Sequence, residues 1–104
     1  MPNTIVPDLD ISIVIPVYNE RDNLVPLEEK LETELSKLSM TYEIILVDDG
    51  STDGSPHIIN SIKKNNPRLK LIRFGNNHGQ SAAFAAGFKA ARGKIFVTLD
   101  ADVQ

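Results

Sequence analysis

Four short stretches of this chain are predominantly apolar, and longer stretches of mixed polarity separate them. Runs of this length, rich in Ile, Val and Leu, are typical of buried strands in a parallel sheet. The stretches between them carry apolar residues at helical spacing, which predicts a helix in each connection. The predicted strands cover residues 11–17, 42–47, 69–74 and 94–99.

The three connecting segments also carry signals for helix ends. In the first, Pro26 is compatible with a helix only if the helix starts close before it, because first-turn residues donate no intrahelical bond. In the second, Asp53 or Ser55 can cap a helix that has Pro56 at its first position. The third, over residues 80–91, is rich in alanine, and Gly93 is placed to end it. The apolar stripe of the first helix consists of Leu24, Leu27, Leu31, Leu35 and Leu38.

The resulting order of elements is β-α-β-α-β-α-β, with each helix as a crossover. Right-handed crossovers and short loops make this an α/β fold, a Rossmann-like parallel sheet with helices on both faces. A chain of 104 residues supports a single domain. We expect residues 1–10 to be a tail, because they combine two prolines with scattered polar residues, and residues 11–104 to form the domain.

Composition narrows the possible chemistry. The chain has no cysteine, which excludes disulfides and thiolate metal sites, and no apolar run approaches the roughly 18 residues of a membrane span. We therefore expect a cytoplasmic protein. The net charge of −3 hides an asymmetry, because residues 54–99 contain no Asp or Glu but eight Lys and Arg residues.

This basic segment has two interpretations. The simpler one is a solvated surface, and the more specific one is an anionic partner, either a diphosphate or a lipid headgroup surface. Nucleic acid is disfavoured, because the four phenylalanines of this segment do not alternate regularly with its basic residues.

Carboxylates follow three of the four predicted strands. Glu20 follows the first, Asp48 and Asp49 the second, and Asp100 and Asp102 the fourth. The carboxyl ends of parallel strands share one edge of the sheet, so these groups should meet there, which is costly unless a cation lies among them. Oxygen ligands favour Mg²⁺ or Mn²⁺ over Zn²⁺. The alternative is that an acidic pair simply ends a strand in solvent.

A nucleotide fits the same edge. An aspartate after a strand can accept hydrogen bonds from a base or ribose, and Tyr18 offers a flat surface for a base. Neither a G-x-G-x-x-G fingerprint nor a P-loop is present, so metal and side chains would have to hold a diphosphate.

Four motifs, in order and spacing, resemble those of a known family. They are I-P-V-Y-N-E at residues 15–20, V-D-D-G-S-T-D at 47–53, N-H-G-Q-S-A-A at 77–83 and L-D-A-D-V-Q at 99–104. Together they resemble the amino-terminal, nucleotide-binding half of family 2 glycosyltransferases with the GT-A fold. The similarity is greatest to the branch that transfers sugars to polyprenyl phosphates, such as dolichyl-phosphate mannose synthase and the undecaprenyl-phosphate sugar transferases.

The resemblance implies a donor site for a UDP- or GDP-sugar. Tyr18 and Asp48, with Asp49 behind or beside it, would surround the base and ribose, and so would Pro16 and Glu20. Gly79 and Gln80 would open the helix that lines the cleft. Arg73 could be a nucleotide contact or a surface charge. The residues that would bind Mg²⁺ or Mn²⁺ are Asp100, Asp102 and Gln104. The ion would contact the diphosphate of the donor, and the transfer would invert the anomeric carbon of the sugar.

The family continues past the DxD motif into acceptor-side strands, so we expect this chain to be the donor-binding part of a transferase. In isolation it should bind a nucleotide sugar weakly and transfer little or none. The resemblance implies membrane contact only through a carboxyl-terminal part, which would place the full-length protein at the cytoplasmic face of a membrane. The apolar edge of the fourth strand could mediate self-association. The alternatives are a non-catalytic nucleotide-sugar-binding module, a receiver-like signalling domain and a sugar nucleotidyltransferase, whose glycine-rich start is absent.

Overall fold

A computed structural model describes residues 9–101 of the chain. The seven predicted elements are present in the predicted order. They are β1 (Leu9–Val17), α1 (Arg21–Leu35), β2 (Tyr42–Asp48), α2 (Ser55–Lys63), β3 (Leu69–Arg73), α3 (Gln80–Ala90) and β4 (Gly93–Thr98). The prediction of an α/β fold with a parallel sheet is confirmed.

The sheet has the strand order β3-β2-β1-β4, and every neighbouring pair is parallel. Apolar residues of α1 and α2 pack with one face of the sheet, and Ala83 of α3 packs with Val14 and Ile45 on the other face. The chain therefore moves outward from β1 to β3 and then crosses to the opposite side of β1. This reversal between β1 and β4 is the kind of position where open α/β sheets bind ligands.

The core has two layers because strand residues alternate between the faces. Ile13 and Ile15 of β1 join the larger cluster under α1 and α2, whereas Val14 joins the smaller cluster under α3. Helix α3 approaches the sheet closely at Gly87, where an added Cβ would collide with the Val14 side chain. A larger residue at this position would push the helix away from the sheet.

Several element ends differ from the predictions. Strand β1 begins at Leu9, two residues early, because Leu9 pairs with Gly93 of β4. Residues 1–8 of the expected tail lie outside the described residues. Helix α1 ends at Leu35, which leaves Leu38 exposed outside the apolar stripe. Pro26 is the sixth residue of α1, further inside than expected, and removes one intrahelical hydrogen bond.

The predicted N-cap of α2 and the predicted role of Gly93 were both wrong. The residue that caps α2 is Gly54, in the left-handed conformation, and Asp53 instead accepts a hydrogen bond from the Ser55 N–H at 3.0 Å. Gly93 does not end α3 but begins β4. An added Cβ there would lie 2.6 Å from the Ser12 backbone nitrogen, so only glycine allows β4 to approach β1 this closely.

A buried carboxylate joins all four strands near their amino ends. The Glu43 carboxylate on β2 accepts hydrogen bonds from the Ser12 hydroxyl on β1 at 2.6 Å and from the Arg92 N–H before β4 at 2.7 Å. It also pairs with the Lys70 ammonium on β3 at 2.5 Å, and the Gly93 N–H donates to the Ser12 hydroxyl at 2.7 Å. The Glu43 side chain is only 3% exposed. Its charge is therefore fully compensated inside the sheet.

Strand β4 lies at the edge of the described sheet and pairs only with β1. Ile95 and Phe96 are 53% and 49% exposed, and the Phe96 ring stacks on Phe88 at a centroid distance of 5.6 Å. The predicted apolar edge is therefore present, and self-association through it stays a prediction. Within residues 9–101, none of the helices has the length and apolar character needed to cross a membrane.

We expect Glu43→Gln to lower the free energy of unfolding at pH 7 by about 2–3 kcal/mol, because it removes the acceptor of a buried ion pair and its hydrogen bonds. Burial raises the pKa of the Glu43 carboxyl, but hydrogen bonds from Lys70, Ser12 and Arg92 outweigh it and hold the pKa below the ordinary glutamate value. The Glu43 carboxylate therefore contributes its full stabilisation of the folded state when the pH is above its unfolded-state pKa. This contribution is lost as the pH falls through its lower folded-state pKa.

Urea unfolding of wild type and variant across pH 2–7 measures this difference. The gap between the two proteins should narrow below about pH 4, near the reference glutamate pKa. The matched control is Glu29→Gln on the exposed face of α1, which should leave the unfolding midpoint nearly unchanged at every pH. A Glu43→Gln protein as stable as wild type at pH 7 would contradict the assignment.

Candidate functional site

A cavity of about 330 Å³ opens at the carboxyl edge of the sheet, between the ends of β1 and β4. Residues after β1 form one wall, and Asp100 and Ala101 after β4 form another. The reversal of strand order separates the two loops here, so the crevice follows directly from the topology. The lining residues are Pro16, Val17, Tyr18, Glu20, Asp49, Asn77, Gly79, Gln80, Asp100 and Ala101.

Seven residues that the sequence pointed to line this one cavity, although they come from distant parts of the chain. They are Pro16, Tyr18, Glu20, Asp49, Gly79, Gln80 and Asp100. Tyr18 directly follows β1, lines the cavity and is 46% exposed, so its ring is accessible to a ligand. Glu20 is the residue before α1, and its carboxylate accepts a hydrogen bond from the Asn23 amide at 2.6 Å.

The loop after β2 forms the floor of the site. The Asp49 carboxylate is buried and accepts hydrogen bonds from the His78 N–H at 2.6 Å and the Gly79 N–H at 2.9 Å. Gly50, with φ +76°, lies so close to the loop before α3 that an added Cβ would be 2.5 Å from the Asn76 backbone carbon. Asp49 and Gly50 therefore hold the start of α3 against the end of β2.

The two neighbouring aspartates have different environments. Asp49, expected behind or beside Asp48, is the one that lines the cavity, and both of its oxygens already accept backbone hydrogen bonds. Asp48 is buried beside it, where one oxygen accepts a hydrogen bond from the Ser51 N–H at 3.2 Å. Its other oxygen, Oδ1, has no hydrogen-bond partner within the described part of the chain. A buried carboxylate oxygen without a donor is costly, so a ligand donor would be favourable here.

Helix α3 begins at the cavity. Gly79 is its N-cap, with an extended ψ of 162°, and no side chain caps the helix. The N–H groups of the first turn have no intrahelical acceptors, so this helix start favours an anion. The Gln80 amide lies 3.4 Å from an Asp100 carboxylate oxygen, which links α3 to the loop after β4.

The charge of the cavity is negative. Three carboxylates line it, from Glu20, Asp49 and Asp100, and no Lys or Arg within residues 9–101 does so. The basic segment lies mainly elsewhere, because α2 and α3 end, and β3 and β4 begin, at the opposite edge of the sheet. An anionic ligand in this cavity would therefore need a cation.

The expected metal ligands are only partly described. Asp100 is exposed at the cavity, and its oxygens are hard donors suited to Mg²⁺ or Mn²⁺. Asp102 and Gln104 lie outside the described residues. Among residues 9–101, no group of three or more His, Cys, Asp or Glu side chains is arranged to hold a metal ion. The donor chemistry of Asp100 fits such an ion, and the complete ligand set stays a prediction.

Arg73 is not brought into this cavity. It ends β3, on the far side of β2 from β1, and lines a second cavity of about 320 Å³ with residues such as Ser51, His57 and Asn60. The separation follows from the strand order, since β2 lies between β3 and the reversal at β1. A direct contact of Arg73 with a ligand in the first cavity therefore has no geometric support.

Sequence reasoning missed some residues of the site. Asn77, to which the sequence motifs assigned no role, lines the cavity, and its side-chain amide donates to the Asp49 carbonyl at 3.3 Å. Asn19 joins the loop after β1 to the loop after β2 by accepting a hydrogen bond from the Thr52 N–H at 2.8 Å. The signal for both was the conspicuous asparagine content of these loops, but turn formation explains that content equally well.

We expect Asp49→Asn to loosen the start of α3, because the amide NH₂ would face an N–H donor that the carboxylate now binds. Amide hydrogen exchange at His78 and Gly79 should accelerate by roughly tenfold or more, consistent with about 1.5–3 kcal/mol per hydrogen bond to a charged group. Asp22→Asn is the matched control, since the Asp22 side chain is 97% exposed. Unchanged protection of both amides would show that Asp49 does not hold this loop.

Comparison with known proteins agrees with the fold and the motifs. The model of the family described as glycosyl transferase family 2 matches residues 12–104, and this chain belongs to that family. One relative is the undecaprenyl-phosphate 4-deoxy-4-formamido-L-arabinose transferase of Aeromonas hydrophila subsp. hydrophila, 43% identical over 95 residues. The alignment covers 90% of this chain but 29% of that protein, so this chain spans less than a third of the relative's length.

Solved structures of similar fold are GT-A glycosyltransferases. The mannosyltransferase PcManGT from Pyrobaculum calidifontis, in complex with GDP-Man and Mn²⁺, has a TM-score of 0.72 and 27% identity over 98% of this chain and 31% of its own. S. aureus TarS in complex with UDP-GlcNAc has a TM-score of 0.73 and 26% identity, covering 90% of this chain and 27% of its own. Mannosyl-3-phosphoglycerate synthase from Rubrobacter xylanophilus, at 21% identity and a TM-score of 0.75, shares the fold.

Proposed function

We propose that this chain forms the donor-binding part of a glycosyltransferase that binds a UDP- or GDP-sugar with a divalent metal. The observation that carries the proposal is the acidic cavity at the strand-order reversal, lined by residues of all four sequence motifs. The structures of PcManGT with GDP-Man and of TarS with UDP-GlcNAc support a donor of this class.

In this proposal each wall of the cavity binds one part of the donor. The exposed ring of Tyr18 packs against the base, and the Glu20 carboxylate accepts hydrogen bonds from ribose hydroxyls. Asp48 does not line the cavity itself, but its buried Oδ1 has no hydrogen-bond partner within residues 9–101, which supports Asp48 as a further acceptor for a base or ribose donor bound beside it. The first-turn N–H groups of α3, beside Gly79 and Gln80, face the diphosphate.

Asp100, with Asp102 and Gln104, would hold Mg²⁺ or Mn²⁺. When bound, the ion neutralises charge that develops on the departing nucleoside diphosphate. The absence of Lys and Arg from the described lining of the cavity supports this assignment, because a diphosphate placed among carboxylates requires positive charge. Mn²⁺ in the PcManGT complex supports the same class of ion.

We also propose the acceptor and the stereochemistry. An oxygen of a polyprenyl phosphate attacks the anomeric carbon from the face opposite the leaving nucleoside diphosphate, so the configuration at that carbon is inverted. The name of the Aeromonas hydrophila relative supports an undecaprenyl-phosphate acceptor. An acceptor of this kind would bring the full-length protein to the cytoplasmic face of a membrane. The second candidate, a non-catalytic nucleotide-sugar-binding module, uses the same cavity without transfer.

Calorimetric titration with UDP- and GDP-sugars, with and without Mn²⁺, tests the donor site. We expect either the UDP-sugar or the GDP-sugar to bind, with Mn²⁺ raising its affinity. In Asp100→Asn or Asp102→Asn the affinity should no longer depend on Mn²⁺, while the preference for one base is retained. The control is Asp22→Asn, an exposed acidic residue of α1. If neither donor binds at any Mn²⁺ concentration, the proposal is wrong.

Incubation of the bound donor with a polyprenyl phosphate then separates the two candidate functions. Sugar transfer by a protein that contains this domain supports the transferase. Tight donor binding without transfer by such a protein would favour the binding module.

A further inference from the structure

The loop after β1 and the loop after β2 are joined by a set of polar contacts. We call Asn19, Ser51, Thr52 and Asp53 the clasp. The Asn19 N–H donates to the Ser51 hydroxyl at 2.9 Å, and the Thr52 N–H donates to the Asn19 side-chain oxygen at 2.8 Å. The Arg21 N–H donates to the Asp53 carboxylate at 3.1 Å, and the Arg21 guanidinium donates to the Asp53 carbonyl at 3.3 Å.

The backbone of Asn19 is unusual. Its φ of 53° is the one positive value at a non-glycine residue within residues 9–101. Asparagine tolerates this left-handed conformation better than most residues, and here its side chain also bonds across to the second loop. The sharp bend lies between Tyr18 and Glu20, both of which line the cavity. The conformation of Asn19 therefore sets the directions of two cavity residues.

Asp53 anchors the clasp to both helices on this face of the sheet. One carboxylate oxygen accepts the first N–H of α1, from Arg21, and the other accepts the N–H and the hydroxyl of Ser55, the first residue of α2. Burial raises the pKa of the Asp53 carboxyl, but the hydrogen bonds from Ser55 and Arg21 outweigh it and lower the pKa below the ordinary aspartate value. The carboxylate is therefore charged at neutral pH.

We propose that Asn19 is a positioning residue, which holds Tyr18 and Glu20 in their binding geometry before the nucleotide arrives. This inference rests on the proposed function of the cavity. Ordering one loop residue costs about 1–2 kcal/mol, and the clasp meets that cost during folding and not during binding. A binding surface ordered in advance loses less entropy when its ligand binds, so the affinity is higher.

The exposure of the clasp favours this role over a contribution to the core. Asn19 and Thr52 are exposed, and the buried cluster under α1 and α2 contains no residue of the clasp. Exposed polar contacts of this kind add little to global stability, typically within about 0.5 kcal/mol per substitution. Their removal should therefore change the local order of Tyr18 more than the unfolding of the domain.

The chain offers a direct probe of this order. It contains two tyrosines and no tryptophan, so Tyr42→Phe leaves Tyr18 as the single tyrosine fluorophore. In this background Asn19→Gly keeps the positive φ but removes the side-chain acceptor, and Asn19→Asp keeps both. Ser61→Ala, which removes a hydroxyl bond within α2, is the matched control.

The experiment measures the fluorescence anisotropy of ligand-free Tyr18, the affinity for UDP and GDP with Mn²⁺, and the urea midpoint of each variant. We expect Asn19→Gly to lower the anisotropy and weaken nucleotide binding by about five- to tenfold, as for the loss of about one hydrogen bond. Asn19→Asp should restore both values, and Ser61→Ala should change neither. If Tyr42→Phe does not fold, 3-fluorotyrosine NMR linewidths in the otherwise native chain report the same ring.

The outcomes separate the inference from the proposed function. If wild type binds nucleotide and Asn19→Gly binds it equally well, the clasp has no positioning role and the donor site stands. If Asn19→Gly weakens binding but Asn19→Asp does not restore it, the hydrogen bond is not the cause and the inference is wrong. If wild type binds neither nucleotide, the proposed function fails and the inference fails with it, whatever the anisotropy shows.

Discussion

The buried carboxylate of Glu43 is the interaction on which the arrangement of the sheet depends. It contacts groups from β1, β3 and the start of β4, so a single charge spans the whole width of the sheet. A buried charge is tolerated only when it is paired and hydrogen-bonded, and here three donors satisfy it. The same network brings the Gly93 N–H to the Ser12 hydroxyl and so sets how β4 lies beside β1.

The position of β4 beside β1 has consequences at the other edge of the sheet. The register between the two strands places the loop that carries Asp100 opposite the loop that carries Tyr18 and Glu20. The network around Glu43 and the cavity lie at opposite ends of the same strands. The network around Glu43 stabilises the pairing of β4 with β1, and this pairing keeps the acidic side chains of the two loops on opposite sides of the cavity. The strand pairing therefore opposes the repulsion between those carboxylates.

The loop after β2 organises this edge of the sheet. Asp49 and Gly50 bind the loop before α3, while Ser51, Thr52 and Asp53 bind the loop after β1. Five consecutive residues thus connect two walls of the cavity to a central strand that is buried along its whole length. These contacts explain why residues 49–53 are rich in Asp, Gly, Ser and Thr. Each of them takes part in a hydrogen bond to a neighbouring loop or allows that loop to approach closely.

The amino-acid sequence by itself determined the order of elements, the parallel sheet and most residues of the cavity, because apolar runs and strand-end carboxylates are local features of the chain. It also carried the family resemblance, which the family model confirmed. Only the tertiary structure decided that Asp49 and not Asp48 lines the cavity, that Arg73 lies at a second cavity, and that Gly93 serves strand pairing. Each of these depends on the strand order β3-β2-β1-β4 and on contacts between residues far apart in the chain, such as Ser12 with Glu43 and Asn19 with Thr52, which no local pattern encodes.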